Sequence, residues 1–200
     1  MSISNRYTFN QTEIRQQLAR FGEFRVAVVG DLMLDKYISG HASRISPEAP
    51  VPVVRVQEHR SVLGGAANVL RNLTSLGMQG VAYGVVGNDA DGQTLSLLCE
   101  KAGIDSGGIM VHPSRPTTVK TRVISDGQQV VRIDEEDDSE IDQDTVCNLL
   151  KQLEADLKAD KLHGIIIEDY HKGVVHRDLV ERLLRLTKDR GILTALDPHP

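Results

Sequence analysis

Residues 28–68 constrain the fold of this chain more than any other segment does. An apolar run at 26–29 ends at Gly30 and Asp31, and Asp35 follows shortly afterwards. This pattern is typical of a buried parallel strand with carboxylates at its carboxyl end, the edge at which open α/β sheets bind ligands. The sequence therefore predicts an α/β domain in which Asp31 and Asp35 either contact a ligand or cap the backbone of a local turn.

A proline-rich ribbon and a glycine pair follow this predicted strand. The ribbon at 35–60 alternates loosely and carries prolines, which suits edge strands, and Gly64 and Gly65 then open an apolar helical pattern with Asn68 in its first turn. Glycines at a helix start let a ligand approach free N–H groups, and an asparagine side chain can donate to and accept from hydroxyl groups. We predict a small polar substrate held under a flap; the alternative is a tight turn without a ligand.

The composition suits one domain of a protein from a reducing compartment. The chain has 200 residues, 40% of them hydrophobic, a net charge of -5 and two cysteines without metal-ligand spacing. The negative charge argues mildly against nucleic acid as the main partner, and no apolar run has the length of a membrane span. No secretory signal is visible, so we expect a cytoplasmic protein with reduced thiols and no metal site of its own.

Strand and helix patterns alternate along most of the chain, which favours a parallel sheet, but one segment breaks this rhythm. Two alternating stretches flank Asp126-Gly127, which is a strong hairpin signal. Because this hairpin does not fit a strand–helix–strand unit, we predict that it and the proline-rich ribbon form a small β lid. The lid segments are roughly 35–60 and 115–135.

The predicted hairpin carries Lys120, Arg122 and Arg132. A two-residue turn would put Arg132 on the face opposite to the other two cations, whereas a three-residue turn with a bulge would put all three on one face. The sequence leaves both arrangements open. The cations are either solvated strand charges or a binding site for a phosphate group.

Several short motifs point to one protein family. They are RISPEAPVPV at 44–53, GGAAN at 64–68, KTR at 120–122, RID at 132–134 and DYHKG at 169–173. This set resembles the ribokinase (PfkB) family of sugar kinases, and within it most closely the kinase domain of bacterial heptose-phosphate kinases. The resemblance covers nearly everything after about residue 24.

The resemblance implies a fold and an activity. The implied fold is a three-layer αβα sandwich with a mostly parallel central sheet and a small inserted β-sheet lid. Residues 1–200 would be the N-terminal portion of one kinase domain whose C-terminal third is missing, with the catalytic base beyond Pro200. The implied reaction uses ATP and Mg²⁺ to phosphorylate D-glycero-D-manno-heptose 7-phosphate at its C1 hydroxyl, for ADP-heptose and lipopolysaccharide precursor synthesis. A homodimer formed through the lid is implied as well.

The resemblance also implies roles for individual residues. The implied sugar contacts are Asp31, Asp35, Gly64, Gly65, Asn68 and Asp169, the implied contacts to a substrate phosphate are Lys120, Arg122 and Arg132, and Lys172 would meet the phosphate transferred from ATP.

Two positions depart from the pattern of the family. The family usually has glycine where this chain has His171, and heptose kinases have lysine where it has His199. These differences keep open a PfkB-type kinase for another sugar or a nucleoside. A non-catalytic sugar-binding or dimerisation module is the alternative from a different class, because exposed lid strands can pair between two chains.

Overall fold

The computed structural model describes residues 10–159 and 161–199, which form two β-sheets and two layers of helices. In chain order the elements are α1 (Gln11–Ala19), a 3-10 helix (Phe21–Glu23), β1 (Arg25–Gly30), β2 (Leu32–Ile45), β3 (Pro52–Gly65), α2 (Ala66–Ser75), β4 (Gln79–Gly87), α3 (Ala90–Lys101), β5 (Asp105–His112), β6 (Thr118–Ser125), β7 (Gln128–Glu135), α4 (Gln143–Lys158), β8 (Gly164–Glu168), α5 (Arg177–Lys188) and β9 (Leu193–Asp197).

The larger sheet is parallel and has the strand order β5-β4-β1-β8-β9. β1 lies at its centre, where Val28 pairs in register with Ala82 on one side and Ile166 on the other. A continuous apolar run suits this position because a central parallel strand is buried on both faces. Since all five strands run in the same direction, the segments after β1 and β8, which contain Asp31 and Asp169, meet at one edge.

Helices cover both faces of the larger sheet, and the alternation of side chains along β1 assigns them. Ala27 and Val29 pack in one apolar cluster with α4 and α5, whereas Val28 packs in a second cluster with α2 and α3. The predicted three-layer αβα sandwich is therefore confirmed. Within the described ranges, none of the helices is both long and apolar enough to cross a membrane.

The smaller sheet is mixed and has the strand order β3-β2-β6-β7. β2 and β3 form a long antiparallel hairpin, β6 runs parallel to β2, and β7 returns antiparallel to β6. The prediction of edge strands is right for β3 but wrong for β2, which pairs on both sides. The physical reason is that Pro47 and Pro50 lie between the two strands and Pro52 is the first residue of β3, so β2 keeps every N–H group for pairing.

A bulge decides which face of the β6–β7 hairpin carries the cations. Asp126 and Gly127 form a two-residue turn with φ values of 50° and 81°. A register shift between the turn and the middle of the hairpin then places Arg122 directly opposite Arg132. Because opposite residues share a face, Lys120 and both arginines lie on the same side, although the turn is short.

The alternation pattern does not indicate β5, which the structure adds at the edge of the larger sheet. This strand contains the pair Gly107 and Gly108, and glycine weakens a strand signal. The close approach of β5 to β4 requires glycine at residue 108, because a Cβ there would lie 2.5 Å from Cδ1 of Tyr83. The packing that needs glycine here is thus the reason why the sequence pattern is weak.

Asp89 caps α3 and also holds the segment that leads into β6. Its carboxylate accepts hydrogen bonds from the N–H of Gly92 at 2.7 Å and from the N–H and hydroxyl of Thr117 at 2.8 and 2.7 Å. Burial alone would raise the pKa of Asp89, but these donors outweigh it and lower the pKa below its usual value. The ionised carboxylate therefore stabilises the fold.

We expect Asp89→Ala to lower the free energy of unfolding by roughly 2 kcal/mol at neutral pH, through the lost helix cap and the unpaired donors. Because the folded-state pKa is lowered, this contribution is present above the unfolded-state pKa of about 3.9 and is lost as the pH falls through the folded-state value. Urea unfolding of both proteins at neutral pH and in acid measures the difference. If the free energies of unfolding of the wild type and Asp89→Ala differ as much in acid as at neutral pH, the charge of Asp89 is not the cause.

Candidate functional site

The strand ends of the larger sheet meet the base of the smaller sheet at one place. The chain leaves β1 at Asp31 and enters β2, on which Asp35 lies, and β3 returns to the same place with Gly64 and Gly65. The loop 169–174 after β8 lies against them, because its backbone donates hydrogen bonds to Asp31. These elements form the candidate site.

Asp35 forms an ion pair with Arg122 across the two strands. Arg122 Nη1 lies 2.6 Å from Asp35 Oδ1, and the two side chains are only 23% and 20% exposed. The hydrogen bond to Asp35 raises the pKa of Arg122. Gly64 leaves room for the carboxylate, since a Cβ at residue 64 would lie 2.7 Å from Asp35 Oδ2. The structure thus brings three predicted site residues together.

Tyr37 supports this pair, although it is not among the site residues predicted from the sequence. The guanidinium carbon of Arg122 lies 5.4 Å from the centre of the Tyr37 ring, and that of Arg60 lies 4.7 Å from it. Both distances are typical of cation–π contacts. Tyr37 comes two residues after Asp35 on β2, so the two side chains share a face, and this spacing is the signal that could have identified it.

Glu136 joins two lysines that belong to different elements. Lys120 Nζ on β6 lies 3.1 Å from Glu136 Oε2, and Lys172 Nζ in the loop lies 2.8 Å from Glu136 Oε1. Burial would raise the pKa of Glu136, but the hydrogen bonds from the two ammonium groups outweigh it and lower the pKa. Two of the predicted cations therefore converge on one anionic group.

The acidic run at 134–142 is predicted as a solvated loop that leads into a helix, and the structure shows two functions within it. Asp142 ends the run and caps α4, the helix that the run was expected to precede. Asp134 Oδ1 instead pairs with Arg132 Nε at 2.9 Å, and Glu136 bridges the two lysines. No local signal distinguishes Glu136 from its acidic neighbours, because one of its partners is 36 residues away in the sequence.

Asp31 lies beneath the site rather than in it. The residue is 1% exposed, and its carboxylate accepts hydrogen bonds from the N–H groups of Tyr170, Lys172 and Val174 at 2.9, 3.1 and 3.1 Å. Burial raises the pKa of Asp31 against the effect of these three donors. Because both carboxylate oxygens bind the loop backbone, the structure disfavours the expected contact between Asp31 and a sugar.

Gly65, Asn68 and Asp169 lie at the expected strand and helix ends, and the two side chains already have partners within the chain. Gly65 has a φ of 52° and immediately precedes α2. Asn68 Oδ1 accepts a hydrogen bond from Arg71 Nη2 at 2.9 Å, and Asp169 Oδ1 accepts one from the N–H of His171 at 2.8 Å. Contact of these three residues with a substrate stays a prediction.

The two histidines that depart from the expected pattern contact each other. The rings of His171 and His199 have centroids 5.5 Å apart and are tilted by 35°. His171 has a φ of 57°, a conformation that favours glycine, which accounts for the glycine expected at this position. Within the described part of the chain, no group of three or more His, Cys, Asp or Glu residues is arranged to hold a metal ion.

The arrangement suits a polar ligand that carries an anionic group. A carboxylate such as Asp35 accepts hydrogen bonds from neighbouring hydroxyl groups, and the adjacent Arg122 can donate to a second oxygen. The ammonium groups of Lys120 and Lys172 can bind phosphate oxygens when Glu136 moves aside, since lysine is a common phosphate ligand. A polyol phosphate combines both features.

Comparison with known proteins agrees with these features. The model for the pfkB family carbohydrate kinases matches residues 23–199. The bifunctional protein HldE of Helicobacter hepaticus is 44% identical over 174 residues, which make up 87% of this chain and 36% of that protein. The chain therefore spans just over a third of the length of the curated relatives that it matches.

Solved structures share the fold at low sequence identity. A carbohydrate kinase from Agrobacterium tumefaciens matches with a TM-score of 0.65 at 18% identity, over 86% of this chain and 53% of that one. Arabidopsis thaliana ribokinase, solved with ribose and ATP, matches with a TM-score of 0.58 at 16% identity, over 86% of this chain and 53% of that one. Since the family model covers most of the described residues, the chain belongs to the pfkB family of carbohydrate kinases.

Proposed function

We propose that this chain provides the sugar-binding side of a cytoplasmic kinase for D-glycero-D-manno-heptose 7-phosphate. The enzyme transfers the γ-phosphate of ATP to the C1 hydroxyl, a step toward ADP-heptose and lipopolysaccharide. Membership in the family and the similarity to HldE proteins support a sugar kinase. The observation that carries the substrate assignment is the placement of Lys120, Arg122 and Arg132 on one face of the smaller sheet, beside Asp35.

In this proposal the site residues divide between the sugar and the phosphates. Asp35 accepts hydrogen bonds from sugar hydroxyls and so holds the reacting hydroxyl in line with the γ-phosphate. Lys120, Arg122 and Arg132 bind the phosphate that the substrate already carries, and Lys172 binds the phosphate in transfer, where negative charge develops. Mg²⁺ would enter with ATP and neutralise the charge of the nucleotide phosphates.

A comparison of acceptors in the full-length protein with MgATP tests the proposal. Lys120→Ala is expected to raise KM for heptose 7-phosphate by about 10- to 100-fold, because a charge-assisted hydrogen bond contributes about 1.5–3 kcal/mol. The same variant should leave the kinetics with unphosphorylated heptose unchanged. Lys101→Ala, at the exposed end of α3, is the matched control. A wild-type preference for the unphosphorylated sugar would refute the phosphate assignment.

A second candidate is a PfkB-type kinase for another sugar or a nucleoside. The contact between His171 and His199 favours it, because two imidazole rings then stand where the family usually has glycine and heptose kinases have lysine. The acceptor comparison distinguishes the two candidates when ribose, fructose 6-phosphate and a nucleoside are included. Sugar binding without turnover in every case would instead support a non-catalytic binding module.

We also propose that the chain forms a homodimer through the smaller sheet. β3 and β7 are its outermost strands, and Val131 and Ile133 of β7 are 46% and 49% exposed. Exposed edges and apolar faces of this kind favour association. Sedimentation of the wild type and of Val131→Lys checks this: we expect a dimer that the substitution dissociates, and a wild-type monomer would refute it.

A further inference from the structure

The loop 169–174 carries Asp169 and Lys172 across the ends of β1 and β8, and its backbone has an unusual shape. His171 and Gly173 have φ values of 57° and 79°. Left-handed conformations in a non-glycine residue persist where the surrounding structure holds them in place. The groups that hold this loop therefore determine where Lys172 lies.

Asp31 holds the N–H side of the loop. Its Oδ2 atom accepts the N–H groups of Tyr170 and Lys172, and its Oδ1 atom accepts the N–H group of Val174. The donors are alternate residues of the loop, so a single buried side chain spans most of its length. Hydrogen bonds to a charged acceptor are among the stronger ones in proteins, and here both oxygens are used.

Arg115 holds the carbonyl side of the same loop. It is 8% exposed, and its Nη2 atom donates to the carbonyl oxygen of Lys172 at 2.6 Å and also to that of Asp137. Its Nη1 atom donates to the carbonyl oxygen of Ser139 at 2.8 Å. One guanidinium group thus ties the loop to the segment that directly follows Glu136. No motif in the sequence singles out Arg115.

We propose that Asp31 and Arg115 are positioning residues that hold Lys172 by both sides of its own backbone, so that its ammonium group lies against Glu136, which also binds Lys120. Asp31 binds the N–H of Lys172 and Arg115 binds its carbonyl oxygen. The identity of the anion at this site, a phosphate group, rests on the proposed function, whereas the anchoring rests on the contacts alone. Two buried charges of opposite sign are therefore used to place one ammonium group.

Amide hydrogen exchange of the chain tests the anchoring without any assay of activity. In Asp31→Asn, which keeps the shape of the side chain, an NH₂ group must face at least one of the three donors. We expect exchange at Tyr170, Lys172 and Val174 to accelerate by about 10- to 100-fold, the ratio that a lost hydrogen bond of this kind produces. Amides at the centre of β1 should keep their rates.

Two further variants make the exchange experiment decisive. Arg115→Lys keeps the charge but cannot donate to the three carbonyl groups in the same geometry, so we expect faster exchange of the same amides. If Asp31→Asn does not fold, this variant alone tests the anchoring of the loop. Asp105→Asn is the matched control, because Asp105 accepts the N–H of Gly107 and pairs with Arg25 at the opposite end of the larger sheet. Unchanged exchange of the loop in both test variants would overturn the proposal.

Titration with inorganic phosphate separates positioning from general stability. We expect Asp31→Asn and Arg115→Lys to weaken phosphate binding about as much as Lys172→Ala does, by about tenfold, and Asp105→Asn to leave it unchanged. Phosphate affinity equal to that of the wild type in both test variants would overturn the positioning role. If Lys172→Ala itself has no effect, the phosphate site of the proposed function is refuted, and the exchange rates alone then support or overturn the anchoring.

Discussion

Replacement of Asp35 with asparagine is expected to lower kcat/KM for the acceptor sugar by about 100- to 1,000-fold, which corresponds to about 3–4 kcal/mol of transition-state stabilisation. The carboxylate pairs with Arg122 at 2.6 Å and, in the proposed function, accepts hydrogen bonds from the sugar. Asparagine removes the charge, so the bond to Arg122 weakens, and its NH₂ group can no longer accept. Initial rates of the full-length protein with MgATP measure the effect.

The matched control for this substitution is Asp126→Asn on the same sheet. Asp126 lies in the β6–β7 turn, six residues or about 20 Å along the strand direction from Lys120, which pairs with Asp35, and asparagine accepts its positive φ. This variant should retain the wild-type kcat/KM. A loss of less than about fivefold in Asp35→Asn would contradict the assignment of Asp35 to the sugar site, since even one charged hydrogen bond contributes more than that.

Replacement of Gly65 with alanine is expected to lower the free energy of unfolding by roughly 3–5 kcal/mol. Gly65 has φ 52° and ψ -136°, a region that residues with a Cβ adopt at a cost. In addition, a Cβ at residue 65 would lie 2.5 Å from the carbonyl oxygen of Asp31 and 2.9 Å from Met33 Cγ. The carbonyl cannot move easily because it accepts the N–H of Ala66 at 3.0 Å.

Gly77→Ala separates the two effects expected at Gly65, the backbone strain of a positive φ and the close approach of a Cβ to other atoms. Gly77 also has a positive φ, 94°, but a Cβ there would meet no atom within 4 Å. Its substitution should therefore cost only the backbone strain, roughly 1–2 kcal/mol. Chemical unfolding followed by circular dichroism measures both variants. If both variants lose the same free energy of unfolding, the close approach of residue 65 to the carbonyl oxygen of Asp31 does not contribute, contrary to the expected result.

The larger sheet and its helices could be predicted because their signals are local. The apolar run at 26–29 and the Asp126-Gly127 turn each reflect the conformation of a few neighbouring residues. β5 was missed because close packing on Tyr83 requires glycine in the strand. The interior position of β2 was missed because strand order depends on which segments pair, and β6, its second partner, begins far along the chain.

The candidate site was predictable only in part. The sequence predicted site roles for Asp35, Gly64 and the cations of β6, since their motifs resemble those of the family, and the structure places these residues side by side. It did not identify Glu136, Tyr37 or Arg115. Each of these acts through partners that are distant in the sequence or on another strand, so their own neighbours carry no sign of the role.

Asp31 and Asp35 show which properties the local sequence predicts and which depend on the tertiary structure. Both follow the same predicted strand, and the amino-acid pattern places them near the ligand-binding edge of an α/β sheet. Their different roles depend on partners 139 to 143 residues away for Asp31 and 87 residues away for Asp35. Only the folded chain brings those partners close, and it buries Asp31 under a loop while leaving Asp35 beside Arg122 in the site.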